Sequence, residues 1–149
     1  VELIDLIPNS MSFRVINTLD ITDENDIPEG FTGRVRYHRN GSLEYVAWYE
    51  HGALENPGRR HGAYRRFRAD GSLKYEMFYL AGALHDPDDT HPAVRSWFGN
   101  GKVHYEEHWL HGRRNDGAKG QAAIRKWRAD GTLRHELRYR NGTRITARS

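Results

Sequence analysis

Arginine recurs at Arg65, Arg95 and Arg125, and glutamate at Glu76, Glu106 and Glu136, each series stepping by thirty residues. A stripe of guanidinium groups could bind phosphates, acidic protein or nucleic acid. The same arginines could instead pair with the glutamates across a sheet surface, as a ladder of charge and cation–aromatic contacts. We favour the ladder, because repeated charge pairs commonly serve the sheet face itself. A neighbouring basic column, Arg36, Arg66 and Lys126, is broken by Ser96. Another column runs Trp48, Phe78, His108 and Arg138, apolar in early copies and basic in late ones. Such a graded face could pack under the N-terminal segment or meet a partner. Those four residues, with Arg65, Arg95 and Arg125, are the candidate partner-binding residues.

Nine histidines raise the question of a metal. His104 and His108 share a strand face but stand about 13 Å apart at the rise of a strand, too far for one ion. His85, Asp86, Asp88, Asp89 and His91 crowd one loop and could hold a divalent cation. The counterpart loops at 55–57 and 115–117 lack that density, and an Asp/Pro-rich turn is the preferred reading. No metal and no cofactor is expected. The chain has no Gly-x-Ser-x-Gly, phosphate loop, His-Glu-x-x-His or cysteine, so an enzyme is not expected and no residue is assigned a catalytic role. The columns Tyr45/Tyr75/Tyr105 and Tyr49/Tyr79/Trp109/Tyr139 could form a stacking platform for bases or sugars. A hydrophobic core ladder is the preferred reading.

These columns exist because the chain repeats, in four copies and without a gap. Turn glycines fall at Gly41, Gly71, Gly101 and Gly131, each after Asn or Asp, and a second series at Gly52, Gly82, Gly112 and Gly142. Asn-Gly or Asp-Gly between apolar runs is the signature of a β-hairpin. A three-residue loop would place Phe67 opposite Leu73 and Trp127 opposite Leu133, with glycine in the left-handed position. The second strand alternates: Leu43, Tyr45, Ala47 and Tyr49 share one face, the expected core, and Glu44, Val46, Trp48 and Glu50 the other. In the first strand Tyr64 and Phe67, Val94 and Trp97, and Ile124 and Trp127 are three apart, which predicts a bulge or twist there. Links such as 53–62 and 83–92, rich in Pro, Gly and Asp, are loops that vary between copies and are a usual place for recognition.

The expected architecture is all-β: an elongated antiparallel sheet of four stacked 30-residue hairpins with an N-terminal strand. Residues 1–30 form an acidic leader or cap. Residues 31–149 form the repeats, at about 33–62, 63–92, 93–122 and 123–149. The leader carries seven acids against one base, Arg14, for a net of −6, whereas the rest carries 22 bases against 13 acids, for +9. A basic repeat surface with an acidic leader lying against it, or repelling wrong partners, follows from that asymmetry. Phe13, Val15, Ile16 and Leu19 predict one strand capping the open edge of the first hairpin. Met11-Ser12 resembles a native start, and the Leu3, Ile4, Leu6, Ile7 pattern would make residues 1–10 a docking peptide or an ordinary strand. A mean hydropathy of −0.88 suits a thin structure. The chain has no transmembrane run and no signal peptide, so a cytoplasmic protein is the default.

The hairpin with its Asn/Asp-Gly turn, aromatic second strand and polar loop resembles MORN-type repeats. It looks closest to the longer bacterial and phage variant, similar to the YwqK-family antitoxin-like repeats. The matching stretches read Gly-Ala-Leu-His-Asp-Pro at 82–87, Pro-Ala-Val-Arg-Ser-Trp at 92–97 and Ala-Asp-Gly-Thr-Leu at 129–133; Ile-Pro-Glu-Gly-Phe-Thr-Gly at 27–33 resembles a lead-in. The likeness covers 27 to 143. It implies a sheet of stacked hairpins, a binding role and no catalytic residues. The expected function is a non-catalytic protein-interaction module, of inhibitor or antitoxin-like type, for a specific bacterial or host protein. The alternative is a binder of anionic surfaces, nucleic acid or acidic lipid, through the arginine stripe.

Overall fold

The computed structural model describes residues 17–58 and 60–146. Its strands are β1 (Thr18–Ile21), β2 (Gly33–Arg39), β3 (Ser42–Glu50), β4 (Ala53–Leu54), β5 (Tyr64–Phe67), β6 (Leu73–Met77), β7 (Tyr79–Leu80) and β8 (Ala83–Leu84). There follow β9 (Val94–Trp97), β10 (Val103–Glu107), β11 (Trp109–Leu110), β12 (Arg113–Arg114), β13 (Ile124–Trp127), β14 (Leu133–Arg140) and β15 (Thr143–Ile145). Eleven strands make one sheet in the order β1-β2-β3-β5-β6-β9-β10-β13-β14-β15, with β4 added beside β3. The fold is thus the expected all-β stack of hairpins, mostly antiparallel. β7–β8 and β11–β12 break away as two-stranded ribbons.

Every hairpin obeys its turn residues. In the second copy the N–H of Arg68 donates to the carbonyl of Ser72 at 2.8 Å, enclosing Ala69, Asp70 and Gly71, with Gly71 at φ +84°. Phe67 stands opposite Leu73, and Trp127 opposite Leu133, as the three-residue loop requires. The first copy differs. Arg39 faces Ser42 across only Asn40 and Gly41, at φ +51° and +78°, because asparagine tolerates the left-handed region that a two-residue hairpin needs twice.

The expected irregularity of the first strand lies instead in the second. Arg66 pairs with Tyr75 and Phe67 with Leu73, so Lys74 is the extra residue; Glu44, His104 and Arg134 occupy the same place in the other copies. A bulge sends residues on either side of it to opposite faces. Leu43 and Leu73 therefore do not share the face of Tyr45 and Tyr75, a correction to the strict alternation read from sequence.

Registers align into rows. Leu19, Val35, Ala47, Tyr64, Met77, Val94, Glu107, Ile124 and Leu137 lie side by side across the sheet. On the same face Tyr37 stacks on Tyr45 at 4.9 Å, Tyr45 on Tyr64 at 4.9 Å, and Tyr64 on Tyr75 at 5.7 Å. The aromatic column is a core ladder. Ile21, Val35, Tyr45 and Ala47 are buried, with Ile27, Phe31, Tyr49 and Leu54 packed on them.

β1 closes the open edge of the first hairpin, and it does so in parallel with β2. Leu19 lies in it; Phe13, Val15, Ile16 and residues 1–10 fall outside the described residues. The leader also reaches the core face. The Tyr45 hydroxyl donates to Glu24 Oε1 at 3.1 Å, and burial together with that carboxylate pushes the phenol far above its ordinary range. Among the described residues no helix is long and apolar enough to cross a membrane.

Candidate functional site

Each loop between hairpins leaves the sheet through a Glu-Asn, His-Asp or Asn-Asp pair, at 55–56, 85–86 and 115–116. The second residue of each pair makes the same two bonds. Asn56 Oδ1 accepts the backbone N–H of Ala63 (3.0 Å) and of Tyr79 (2.8 Å). Asp86 Oδ1 accepts those of Ala93 (2.7 Å) and Trp109 (2.9 Å). Asp116 Oδ1 accepts those of Ala123 (2.9 Å) and Tyr139 (3.0 Å). One short acceptor thus joins the entry and exit of the following hairpin. It satisfies two N–H groups that the ladder leaves behind where β7 and β11 peel away. The first residue of each pair holds the next tight turn: Glu55, His85 and Asn115 accept the N–H of Ala81, His111 and Asn141 at 2.7, 3.0 and 3.0 Å.

The column Trp48, Phe78, His108 and Arg138 meets these clasps. Trp48 is half-buried under Arg34, whose guanidinium stands 5.4 Å from the indole. Phe78 is buried beside the loop that carries Asn56, and His108 is only 1% exposed. His108 Nδ1 donates to Asp86 Oδ2 at 2.7 Å, and Nε2 has no hydrogen-bond partner among the described residues. Arg138 donates to Asp116 Oδ2 (2.9 Å) and to the carbonyl of Gly120 (3.1 Å). The clasp residue changes with its neighbour: neutral Asn with Phe, Asp with His and with Arg. An acceptor-only carboxylate appears where the column supplies a side-chain donor. Phe78 and His108 are thus interior anchors, and Trp48 and Arg138 retain surface.

The arginine stripe is a charge row. Asp20, Arg36, Val46, Arg65, Glu76, Arg95, Glu106, Arg125 and Glu136 are successive cross-strand neighbours. Ion pairs join Arg36–Asp20 (2.8 Å), Arg65–Glu76 (3.0 Å), Arg95–Glu106 (2.7 Å) and Arg125–Glu106 (2.8 Å). Hydrogen bonding by Arg36 holds the Asp20 carboxyl below its ordinary range. Arg65 and Arg125 also lie over Phe67 and Trp127, at 5.6 and 5.2 Å from the rings. The three arginines are each engaged within the sheet face.

Loop tips overhang this charged face. Arg60 and His91, both exposed, line with Pro92, Phe78, Glu76 and Arg95 a pocket of about 290 Å³. Of the sequence candidates, Phe78 and Arg95 are therefore brought together. At places thirty apart the loops read Gly-Arg-Arg-His (58–61), Asp-Asp-Thr-His (88–91) and Ala-Lys-Gly-Gln (118–121), and so differ in charge. Asp88 is exposed and bonds within its own loop, to Thr90 and His91. Burial pushes its carboxyl up, but hydrogen bonds from His91 and Thr90 prevail and hold it well below the usual range. Asp86 is likewise engaged, by its clasp. A second groove, of about 540 Å³, opens between the first two hairpin tips, with Arg39, Arg66, Arg68 and Lys74 around Glu44 and Phe67.

Sequence reasoning passed over the clasps, although Asn56, Asp86 and Asp116 stand thirty apart. The signal was their period, and they read as turn formers.

Comparison with known proteins agrees with the geometry. Residues 60–81, from the tip of the first loop through the second hairpin to its tight turn, match the model of the MORN repeat variant. No curated protein and no solved structure matches the chain. The matched segment is similar to a MORN-type repeat, and the same hairpin plan recurs in register along the sheet.

Proposed function

We propose that the chain is a non-catalytic protein-binding module whose recognition surface is the row of loop tips over the charged sheet face. One observation carries the reading: three loops are pinned by an identical clasp at their base yet present different charges at their tips. A fixed scaffold with variable exposed tips is how binding surfaces are commonly built. MORN repeats are generally associated with protein or membrane binding. The pocket at Arg60, His91 and Arg95 forms the centre of the surface and fits an acidic or aromatic side chain of the partner. Trp48 and Arg138 lie toward its ends. An inhibitor or antitoxin-like role, as the YwqK-like resemblance implies, and a cytoplasmic setting belong to this proposal.

The test is site-specific photo-crosslinking in cells, with the photoreactive residue at position 60, at 91 or at Arg144 near the far end of the array. Adducts to one protein from 60 and 91, absent from 144, are expected. Equal adducts from all three positions would remove the surface from consideration. A second reading rests on the groove at Arg39, Arg66, Arg68 and Lys74, where four cations surround one carboxylate. It makes the chain a binder of anionic polymer or lipid, and it predicts adducts to nucleic acid or lipid that fade steeply with salt.

A further inference from the structure

Each internal second strand has its outer edge closed by the first strand of the next unit: β3 by β5, β6 by β9, β10 by β13. The register never changes. Val46 faces Arg65, Glu76 faces Arg95 and Glu106 faces Arg125, while Ala47, Met77 and Glu107 face Tyr64, Val94 and Ile124. The incoming strand always reads alanine, a large apolar residue, arginine: Ala63-Tyr64-Arg65, Ala93-Val94-Arg95, Ala123-Ile124-Arg125.

β14 repeats the acceptor, with Glu136 and Leu137 in the places of Glu106 and Glu107. Its outer edge is covered by β15 only over Arg138–Arg140. Along 133–137 no strand among the described residues pairs with that edge, and Glu136 makes no ion pair among them. Leu133 is 47% exposed there. An unpaired, partly apolar edge is a template for another strand.

We propose that this edge receives an antiparallel strand from a second protein. The strand carries a small residue, a large apolar residue and an arginine in succession, with the arginine opposite Glu136 and the apolar side chain over Leu137. The charge row argues for that occupant and against a second copy of this chain. The other outer strand among the described residues, β1, would continue the row with Asp20 beside Glu136, two carboxylates as direct neighbours. The inference extends the protein-binding reading to a surface separate from the loop tips.

The probe is a labelled peptide with the sequence of residues 121–128, the strand that closes β10, titrated into the 149-residue chain. Binding should shift the amide resonances of residues 134–137. Glu136→Arg, or glutamate in place of the peptide's residue equivalent to Arg125, should each weaken binding by about tenfold, and the two together should restore it. Glu136→Gln gives the intermediate value and keeps the test readable if arginine disturbs the fold. Absent binding, binding indifferent to both reversals, or shifts centred on β10 would overturn the proposal. So would self-association of the chain that Glu136→Arg abolishes, since the occupant would then be a second copy. Failure here with crosslinking retained at positions 60 and 91 would leave the proposed function standing.

Discussion

The second and third hairpins follow one backbone plan with opposite chemistry. In the second, four places of that plan hold Met77, Leu84, Phe78 and Asn56. In the third the same four places hold Glu107, Arg114, His108 and Asp86. Glu107 is buried, and its carboxylate accepts from the Tyr105 hydroxyl, the Trp109 indole at 2.7 Å and Arg114 Nε at 3.2 Å. Arg114 lies over Trp109 and Tyr139, at 5.1 and 5.8 Å. Burial and the Glu107 carboxylate together push the Tyr105 phenol far above its ordinary range. The contrast shows that turn glycines, bulge and clasp suffice to set the backbone. The places between them accept oil or ions, provided both partners change together.

The largest expected effect separates the two clasps. Asn56→Ala orphans two backbone N–H groups and should cost about 2 kcal/mol. Asp86→Ala orphans two as well and strips His108 of its partner, for about 4 kcal/mol. Urea unfolding of both variants checks this; equal losses would mean that the buried histidine draws nothing from Asp86.

Next comes the ionic pair. Glu107→Met or Arg114→Leu alone leaves one buried or half-buried charge unanswered and should destabilise by about 2–3 kcal/mol. The double variant rebuilds the second hairpin's Met–Leu pair, so it should return to within about 1 kcal/mol of the parent. Additive losses in the cycle would show that the two sites are not coupled.

The smallest effect depends on pH. His85 lies 4.5 Å from His111, where the second hairpin has Glu55 and Ala81. Burial first, and the neighbouring imidazole second, lower the His85 pKa from its ordinary value near 6.5. The unfolded chain then takes up this proton more readily than the folded one. Stability from this site is complete above the ordinary histidine range and falls as pH drops through about 6.5 toward the lowered folded value. His111→Asn, which copies Asn141 of the last unit, should flatten melting temperature against pH over that range. An unchanged slope would exonerate the pair.

Much of this architecture was legible in the sequence because a period multiplies weak signals. One Asn-Gly or Asp-Gly marks a turn; four in step also point to the pairing of Phe67 with Leu73. The bulge lies in the second strand and not the first, because Tyr64 and Phe67 look irregular only if the core is assumed to lie on one face. Phe67 in fact serves the other face, under Arg65. The charge row was readable as a ladder from the shared period of arginine and glutamate. The clasp was not, since its bonds go to backbone N–H groups, which leave no mark on side-chain patterns. The burial of His108 is hidden as well, since nothing near it in the chain announces the Asp86 carboxylate twenty-two residues earlier.

The clasps also have a direction. Asn56 holds residues 63 and 79, Asp86 holds 93 and 109, and Asp116 holds 123 and 139. Every clasp precedes what it fastens. On the ribosome the acceptor therefore emerges before the hairpin that needs it, and each hairpin can be locked as it appears without waiting for later chain. Truncation inherits the same arrow. Shortening the array from its C-terminal end leaves complete units behind, whereas shortening it from the front leaves the first survivor unfastened.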